Sequence, residues 1–307
     1  MNLSVVIPVY NSERTIGPLV ERLQTCLAGR MFEIVLVNDG SPDRSESICL
    51  QLEKRFTTVR FVSLRRNFGE FNAVLCGLNH TRGQWVVIID DDFQNPPEAI
   101  LTLVACAESG QYDVVYSRYA QKKHHWFRNL GSWLVNTVTT YSIGKPRDLY
   151  LSSFKLIQRE VVDEIIRYRG PYPYIDGLIF RVTRNVTSVE VPHNPRAEGR
   201  SNYTFQKLIG LVLNVFIGYS LWPIRVFTVL GAMLFGLGLL CGLLFVLAWL
   251  TGTLTFSGWS LVLWAIGTGL GVQLLFLGVL GEYLGKLFMA YSGLPPYVEK
   301  KSERAKE

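Results

Sequence analysis

One segment of the sequence, from Val226 to Gly281, contains no charged residue, and this limits the folds that are open to the chain. The segment is more than twice as long as the roughly 20 apolar residues with which a helix crosses a bilayer. Turn-forming residues at 251–258 interrupt it. We therefore predict a transmembrane hairpin, with helices at about 226–250 and 259–281, rather than two buried core helices.

The positive charges around this hairpin predict its orientation. Lys and Arg flank both ends of the hairpin, and the connecting loop carries no charge. Because cytoplasmic flanks are enriched in these residues, we expect both termini to be cytoplasmic. The flanking residues are Arg200, Lys207, Arg225, Lys286, Lys300, Lys301, Arg304 and Lys306. The N-terminal sequence begins like a strand and has no signal-peptide pattern, so we do not expect secretion.

The 307 residues therefore divide into four predicted regions. A cytoplasmic domain at 1–203 is followed by an interfacial amphipathic helix region at 204–223, the hairpin at 224–285 and a cytoplasmic tail at 286–307. The net charge of +6 suits either anionic lipid or nucleic acid. No nucleic-acid-binding motif accompanies it, so we predict a membrane partner and no nucleic acid.

The cysteine and histidine patterns do not indicate a metal site. Five cysteines are scattered without CxxC or zinc-ligand spacing, so we expect reduced, packed thiols. They are Cys26, Cys49, Cys76, Cys106 and Cys241. His124 and His125 are adjacent and would point in different directions on regular structure.

Three carboxylates follow an apolar run in the N-terminal domain. The run at 85–89 predicts a buried strand of a parallel sheet, and Asp90 to Asp92 follow it directly. Clustered carboxylates repel one another, and a hard divalent cation relieves that repulsion. Asp90 and Asp92 lie two residues apart, and Gln94 adds a neutral oxygen. The alternative is a solvated acidic turn before the next helix.

Strand-like and helix-like segments alternate along this domain, which predicts an α/β fold with a mostly parallel sheet. The predicted strands lie at 3–11, where the strand ends in a polar turn, and at 33–37, 59–64, 85–89 and 113–118, and the predicted helices lie at 15–27, 45–56 and 72–79. Three strands then end in polar residues at one edge of the sheet: Asn11, Asp39 and the carboxylates at 90–92. Ligands of open α/β sheets bind at that edge.

Several motifs allow more than one interpretation. Asp39 with Gly40 forms either an ordinary turn or a contact to a nucleobase or ribose. The basic, aromatic stretch at 122–128 is either a solvated face or a segment that rests on lipid headgroups. The loop at 196–203 suits a diphosphate, or supplies positive charge that fixes topology. The segment at 148–156 predicts a strand on the acceptor side. Neither a P-loop nor GxGxxG occurs, which argues against an ATPase and a dinucleotide-dependent dehydrogenase.

Five motifs occur in an order that resembles a known family. They are Pro8-Val9-Tyr10-Asn11, Val37-Asn38-Asp39-Gly40-Ser41, Arg66-Asn67-Phe68-Gly69, Asp90-Asp91-Asp92 with Gln94 and Pro96, and Arg200-Ser201 with Gly199 and Tyr203. This order, followed by a predicted hairpin, resembles the family 2 polyprenyl-phosphate glycosyltransferases with the GT-A fold. Dolichyl-phosphate mannose synthases, bactoprenyl glucosyltransferases and undecaprenyl-phosphate aminoarabinose transferases belong to that group. The resemblance covers nearly the whole chain.

The resemblance implies a role for each matching residue. It implies nucleotide-sugar contacts from Pro8, Tyr10, Asn11, Asp39, Asp90, Asp91 and Ser201, acceptor-phosphate contacts from Arg118 and Arg128, and ligation of Mg²⁺ or Mn²⁺ by Asp92 and Gln94. Asp92 and Arg200 would carry the catalysis, since a cation and an arginine offset the charge on a leaving diphosphate.

The implied reaction is inverting, metal-dependent transfer of a sugar from a nucleotide-sugar, with a UDP-sugar as the favoured donor, to undecaprenyl or another polyprenyl phosphate in a bacterial inner membrane. The second pKa of a phosphate monoester is about 6, so this acceptor needs no strong general base. The alternative is a catalytically inactive membrane scaffold that binds nucleotide-sugar. A processive synthase is less favoured, because its Gln-x-x-Arg-Trp motif does not occur here.

Two departures from the family pattern leave the sugar open. Asn11 is followed by Ser12 and Glu13, where relatives have Asn-Glu. The segment at 153–156 resembles the aminoarabinose-type members more than the glucosyl-transferring members. Small residues near Gly267 to Gly285 predict self-association through the hairpin.

Overall fold

The computed structural model describes residues 2–119, 140, 143–146, 148–170, 172–192, 194, 222–251, 259–291, 293 and 295–301. Its strands are β1 (Leu3–Val9), β2 (Phe32–Asn38), β3 (Val59–Ser63), β4 (Trp85–Ile88), β5 (Val114–Tyr119), β6 (Lys155–Gln158) and β7 (Val186–Val191). Its helices are α1 (Ile16–Cys26), α2 (Ser45–Arg55), α3 (Glu70–His80), α4 (Ala99–Gly110), α5 (Arg159–Ile165), α6 (Ile175–Val182), α7 (Trp222–Leu250) and α8 (Trp259–Tyr291).

The strands form one sheet in the order β3-β2-β1-β4-β6-β5-β7. The pairs β3/β2, β2/β1, β1/β4 and β5/β7 are parallel, whereas β6 runs antiparallel to both β4 and β5. The predicted α/β fold with a mostly parallel sheet is therefore confirmed. The strand predicted over 148–156 is only partly correct, because β6 begins at Lys155 and the residues before it are irregular.

Helices cover both faces of the sheet, and this explains why its central strands β1 and β4 are mostly apolar. Successive residues of β1 point to opposite faces, so Val5 and Ile7 pack with α1 and α4 while Val6 packs with α3. Both of these layers are buried, as expected for parallel strands that carry crossover helices on each side.

The helices α7 and α8 contain the uncharged segment. They contact each other, and many of their leucines are exposed, including Leu237 and Leu274. By length and composition, Gly269–Met289 in α8 is the one stretch of the described chain that reaches the dimensions of a membrane span. The apolar stretch in α7, Thr228–Leu244, is shorter.

The segment after α8 returns to the sheet. Glu299 forms an antiparallel bridge with Leu64, just beyond β3. The amide of Arg65 donates to the carbonyl of Val298 (2.9 Å), and the amide of Lys300 donates to the carbonyl of Ser63 (2.7 Å). The segment at 295–301, which we call the C-terminal tail, therefore covers the outer edge of the sheet at the C-terminal end of β3.

Candidate active site

The strand order reverses between β1 and β4, and the polar strand ends meet there. Strands β2 and β3 lie on one side of β1, and β4 lies on the other. A crevice at such a reversal is the usual ligand site of an open α/β sheet. Asp39 follows β2 and its amide bonds to the carbonyl of Val9 (2.9 Å), while Ile89 bonds to Val6 (3.1 Å). The predicted convergence of these three strand ends is therefore present.

Asp39 holds the turn that precedes α3. Its two carboxylate oxygens accept hydrogen bonds from the amides of Phe68 (2.7 Å) and Gly69 (2.9 Å). Burial raises the pKa of Asp39, and these two bonds offset part of the increase. Gly40 lies directly against this turn, at φ +64°, and a Cβ there would approach the carbonyl carbon of Arg66 to 2.5 Å. The Asp-Gly pair therefore joins the ends of β2 and β3.

Asp91 connects the end of β4 to the end of β1. It accepts a short hydrogen bond from the hydroxyl of Ser12 and a longer one from the amide of Tyr10 (3.4 Å). Burial raises its pKa to about 6 despite the Ser12 bond, and the neighbouring carboxylates Asp90 and Asp92 contribute in the same direction.

The turn after β1 is also fixed from the β2 side. Asn11 has a left-handed φ of 57°, and its amide bonds to the hydroxyl of Ser41 (3.2 Å). Pro8 is buried within β1 opposite Val37, whereas the Tyr10 side chain is 39% exposed at the crevice. Of these predicted nucleotide contacts, Tyr10 and Asn11 are the ones accessible to a ligand.

The remaining two carboxylates have different surroundings. Asp90 accepts a 2.5 Å hydrogen bond from the hydroxyl of Ser153. Asp92 accepts one from the amide of Gln94 (3.0 Å), across a turn in which Phe93 has φ 60°. The donor set of this turn is carboxylate and amide oxygen. This is the chemistry that Mg²⁺ and Mn²⁺ require, so the residues fit such an ion.

A network of hydroxyl groups forms hydrogen bonds to the turn that follows β4. Tyr119 donates to Oδ1 of Asn95 (2.6 Å), and its hydroxyl also pairs with that of Ser152 (2.9 Å). Ser117 donates to Ser152 (2.7 Å). Asn95, Ser117 and Ser152 are buried. Ser152 and Ser153 thus join the 90–95 turn to the segment before β6.

An ion pair that the sequence did not reveal lies beneath the crevice. Lys155 donates a short hydrogen bond to Asp176 at the start of α6, and the hydroxyl of Tyr116 donates to the same carboxylate (3.0 Å). All three side chains are buried. Lys155 lies between Ile88 of β4 and Tyr116 of β5, so its ammonium group is close to the strand end that carries Asp90.

Glu70 is a further carboxylate that sequence reasoning missed. It is the first residue of α3 and is exposed to water, yet protein surrounds it on most sides. The surrounding protein is the largest cause that raises the pKa of Glu70, to about 7. The negative charge of Asp90 is the next largest and raises it further, whereas the positive charge of Lys155 lowers it. The signal that could have revealed it is its position directly after the motif that ends at Gly69.

The predicted arginines are only partly within the described chain. Arg118, in β5, lies 3.7 Å from Glu190 of β7, and both side chains are exposed. Arg128, Arg200 and Ser201 lie outside the described residues, as do the basic stretch at 122–128 and the helix predicted between 205 and 221.

The fold and site together define a class of protein, and comparison with known families agrees. An α/β sheet with carboxylates at its strand reversal is typical of enzymes that bind nucleotide-sugars. Residues 4–166 match the family described as "Glycosyl transferase family 2". The chain therefore belongs to glycosyltransferase family 2 and is a glycosyltransferase.

Similar proteins extend this assignment over nearly the full length. The chain is 33% identical to undecaprenyl-phosphate 4-deoxy-4-formamido-L-arabinose transferase of Proteus mirabilis, over 97% of this chain and 93% of that protein. It is 36% identical to the protein of the same name from Pseudomonas aeruginosa, over 99% and 91% of the two chains.

Solved structures confirm the GT-A fold. The chain is similar to glucosyl-3-phosphoglycerate synthase from Mycobacterium tuberculosis, crystallised with Mn²⁺, UDP and phosphoglyceric acid, with a TM-score of 0.55 and 19% identity. That similarity covers 70% of this chain and 76% of the synthase. A complex of the same synthase with Mn²⁺, UDP-glucose and phosphoglyceric acid gives a TM-score of 0.53 and 20% identity, over 70% and 77% of the two chains.

Proposed function

We propose that this enzyme transfers 4-deoxy-4-formamido-L-arabinose, or a closely related amino sugar, from a UDP-sugar to undecaprenyl phosphate. The observation that carries the proposal is the near-full-length similarity to transferases of that name, at 33–36% identity. The segment at 153–156 also resembles the aminoarabinose-type members of the family in sequence. The product would serve modification of lipid A or another envelope glycan.

The donor would bind in the crevice between the ends of β1, β2 and β4. Tyr10, Asn11 and Asp39 would line the nucleotide, with Asp90 beside them. Pro8 in β1 and Asp91 would support the backbone around it. Asp92 and Gln94 would hold Mg²⁺ or Mn²⁺, which offsets negative charge on the diphosphate. The Mn²⁺ and UDP in the Mycobacterium tuberculosis synthase support this choice.

The acceptor phosphate does not need a strong general base from the protein. The second pKa of a phosphate monoester is about 6, so it is mostly ionised near neutral pH. Its oxygen can attack the anomeric carbon directly, and attack opposite the diphosphate inverts that centre. We assign Arg118 and Arg128 to the acceptor phosphate, and Arg200 and Ser201 to the departing diphosphate, from the sequence motifs.

The acceptor also requires a membrane. We propose that α7 and α8 form a transmembrane hairpin in a bacterial inner membrane, with the sheet and both termini in the cytoplasm. The exposed leucines of both helices support this, because a water-facing surface of that kind would be costly. The residues at 204–223 would then lie at the membrane surface, and the small residues of α8 would support self-association.

A transfer assay tests the proposal. Purified protein would receive undecaprenyl phosphate, Mn²⁺ or Mg²⁺, and UDP-4-deoxy-4-formamido-L-arabinose beside UDP-glucose and UDP-xylose, with the lipid product identified by mass spectrometry. We expect a sugar-phosphate-lipid from the formamido sugar, and none from Asp92→Asn. Asp163→Asn, an exposed carboxylate of α5, serves as the matched control and should remain active.

Two outcomes would contradict the proposal in different ways. If product formed from UDP-glucose alone, the enzyme class would stand, but the proposed sugar would be wrong. Absence of product with every donor, together with absence of UDP binding, would favour the alternative of a membrane-anchored scaffold.

A further inference from the structure

A second group of side chains of the types that bind metals lies outside the carboxylate turn. Cys76 and His80 are four residues apart on α3, so they lie on one face of the helix. Glu299 reaches them from the C-terminal tail. The ligand atoms of these three side chains all lie within 4.8 Å of one another.

The separations of these atoms suit a tetrahedral ion. Oε1 of Glu299 lies 3.5 Å from Sγ of Cys76 and 2.9 Å from Nε2 of His80. Zinc forms bonds of about 2.0 to 2.3 Å to these ligand types, which places tetrahedral ligand atoms roughly 3.2 to 3.8 Å apart. The Cys76–Glu299 distance already lies in this range, and the His80–Glu299 pair would have to open slightly to admit the ion.

The thiol is the member of this group that hydrogen bonding serves least well. A thiol is a weak donor, and here the buried Cys76 sulfur is directed at a carboxylate. The hydroxyl of Tyr297 is a further polar group at the same sulfur. A soft divalent cation would bind the thiolate, the imidazole and the carboxylate together, and either water or Tyr297 could complete the site.

We propose that Cys76, His80 and Glu299 bind a zinc ion that fastens the C-terminal tail to α3. His80 and Glu299 are 219 residues apart in sequence, and both long helices lie between them. A cross-link that closes so long a loop removes much conformational freedom from the unfolded chain. The ion would therefore strengthen a contact that the backbone pairs with Leu64 and Ser63 already make.

Metal content and cobalt spectra of the full-length protein test this site. We expect about one zinc per chain that survives purification, and a thiolate-to-cobalt charge-transfer band after exchange with Co²⁺. Cys76→Ser should lose the band and most of the zinc. Cys49→Ser, which removes a buried thiol of α2, should keep both. Asp92→Asn should also keep both, which separates this ion from the one at the carboxylate turn.

Proteolysis provides a second readout that does not depend on a core substitution. Glu299→Gln changes a partly exposed tail residue, keeps its length and replaces the carboxylate with a weaker amide-oxygen ligand. Chelation should speed tryptic cleavage after Lys300 and Lys301 at least tenfold in the natural protein and have little effect on Glu299→Gln. A protein without bound zinc and without the cobalt band would overturn the proposal, and so would equal zinc content in Cys76→Ser. The three side chains would then form only a hydrogen-bonded contact.

Discussion

The hydroxyl of Ser153 donates a 2.5 Å hydrogen bond to Oδ2 of Asp90, so the segment before β6 holds the first carboxylate after β4. The neighbouring Ser152 joins the same turn through Tyr119 and Asn95. The antiparallel strand therefore acts on the donor crevice, because the residues that enter it fix the orientation of the carboxylates.

Ser153→Ala should weaken donor binding without unfolding the sheet. The substitution removes a hydrogen bond to an ionised group on a partly exposed side chain, which corresponds to about 1 kcal/mol and about a fivefold increase in KM for the UDP-sugar. We expect kcat to change less. Ser109→Ala, on the exposed end of α4, is the control. An unchanged KM would show that Asp90 is oriented without Ser153.

Gly40→Ala should destabilise the protein strongly. The residue has φ +64°, and its Cβ would lie 2.5 Å from backbone carbon of Arg66, which cannot move without displacing the turn that Asp39 holds. We expect the free energy of unfolding to fall by about 2 kcal/mol or more, as it does when a substitution causes a severe backbone clash.

Gly17→Ala is the matched control for that substitution. Gly17 lies in α1, and a Cβ there meets nothing within 4 Å. Alanine favours a helix over glycine by roughly 0.5–1 kcal/mol, so this variant should unfold at a higher temperature. Thermal unfolding in detergent measures both. Equal stability of the two variants would contradict the close approach of Gly40 to Arg66.

Asp91→Asn should flatten the pH dependence of stability in mildly acidic solution. Burial raises the pKa of Asp91 to about 6, from about 3.9 in an unfolded chain. Between these values the folded state holds more protons than the unfolded state, so the free energy of unfolding falls as pH rises from about 4 to about 6. Above that range the contribution stays constant.

The asparagine variant isolates this contribution. Its amide oxygen can still accept the bonds from Ser12 and Tyr10, but it does not titrate. The free energies of unfolding of the two proteins should differ by an amount that changes by about 2–3 kcal/mol between pH 4 and pH 7. The variant should be the more stable of the two, relative to pH 4, at the higher pH. Parallel curves, measured by thermal unfolding across this range, would mean that Asp91 has an ordinary pKa.

Removal of one partner of the Lys155–Asp176 pair should be more damaging than removal of both. Lys155→Met leaves a buried carboxylate that only Tyr116 stabilises, at a cost of about 3–5 kcal/mol. Lys155→Met with Asp176→Leu removes both charges and should recover much of that loss. Denaturant unfolding of the single and double variants completes the cycle, and strictly additive effects would contradict the pairing.

The sequence predicts the fold well where the pattern is local. Apolar runs locate β1 to β5, and the spacing of Ile16, Leu19 and Leu23 locates α1. The convergence of Asn11, Asp39 and the 90–92 carboxylates follows from the parallel arrangement alone. Here local chemistry and the direction of the strands are sufficient.

What the sequence could not predict depends on contacts between distant residues. The antiparallel insertion of β6 places Lys155 beside Asp176, and no local pattern indicates that pairing. Asp39 was expected to contact a nucleotide, but its engagement by Phe68 and Gly69 depends on how β3 ends. The pairing of Glu299 with His80 spans most of the chain, so no residue spacing indicates it.

The pairing of the C-terminal tail with β3 has a consequence for the order of synthesis. The ribosome makes β1 to β7 first, then α7 and α8, and only then the residues that lie along β3. Until that moment the backbone at the C-terminal end of β3 is open to pairing with another chain. The catalytic domain therefore completes its own sheet only after both long helices have been made. This links a finished sheet to prior synthesis of α7 and α8.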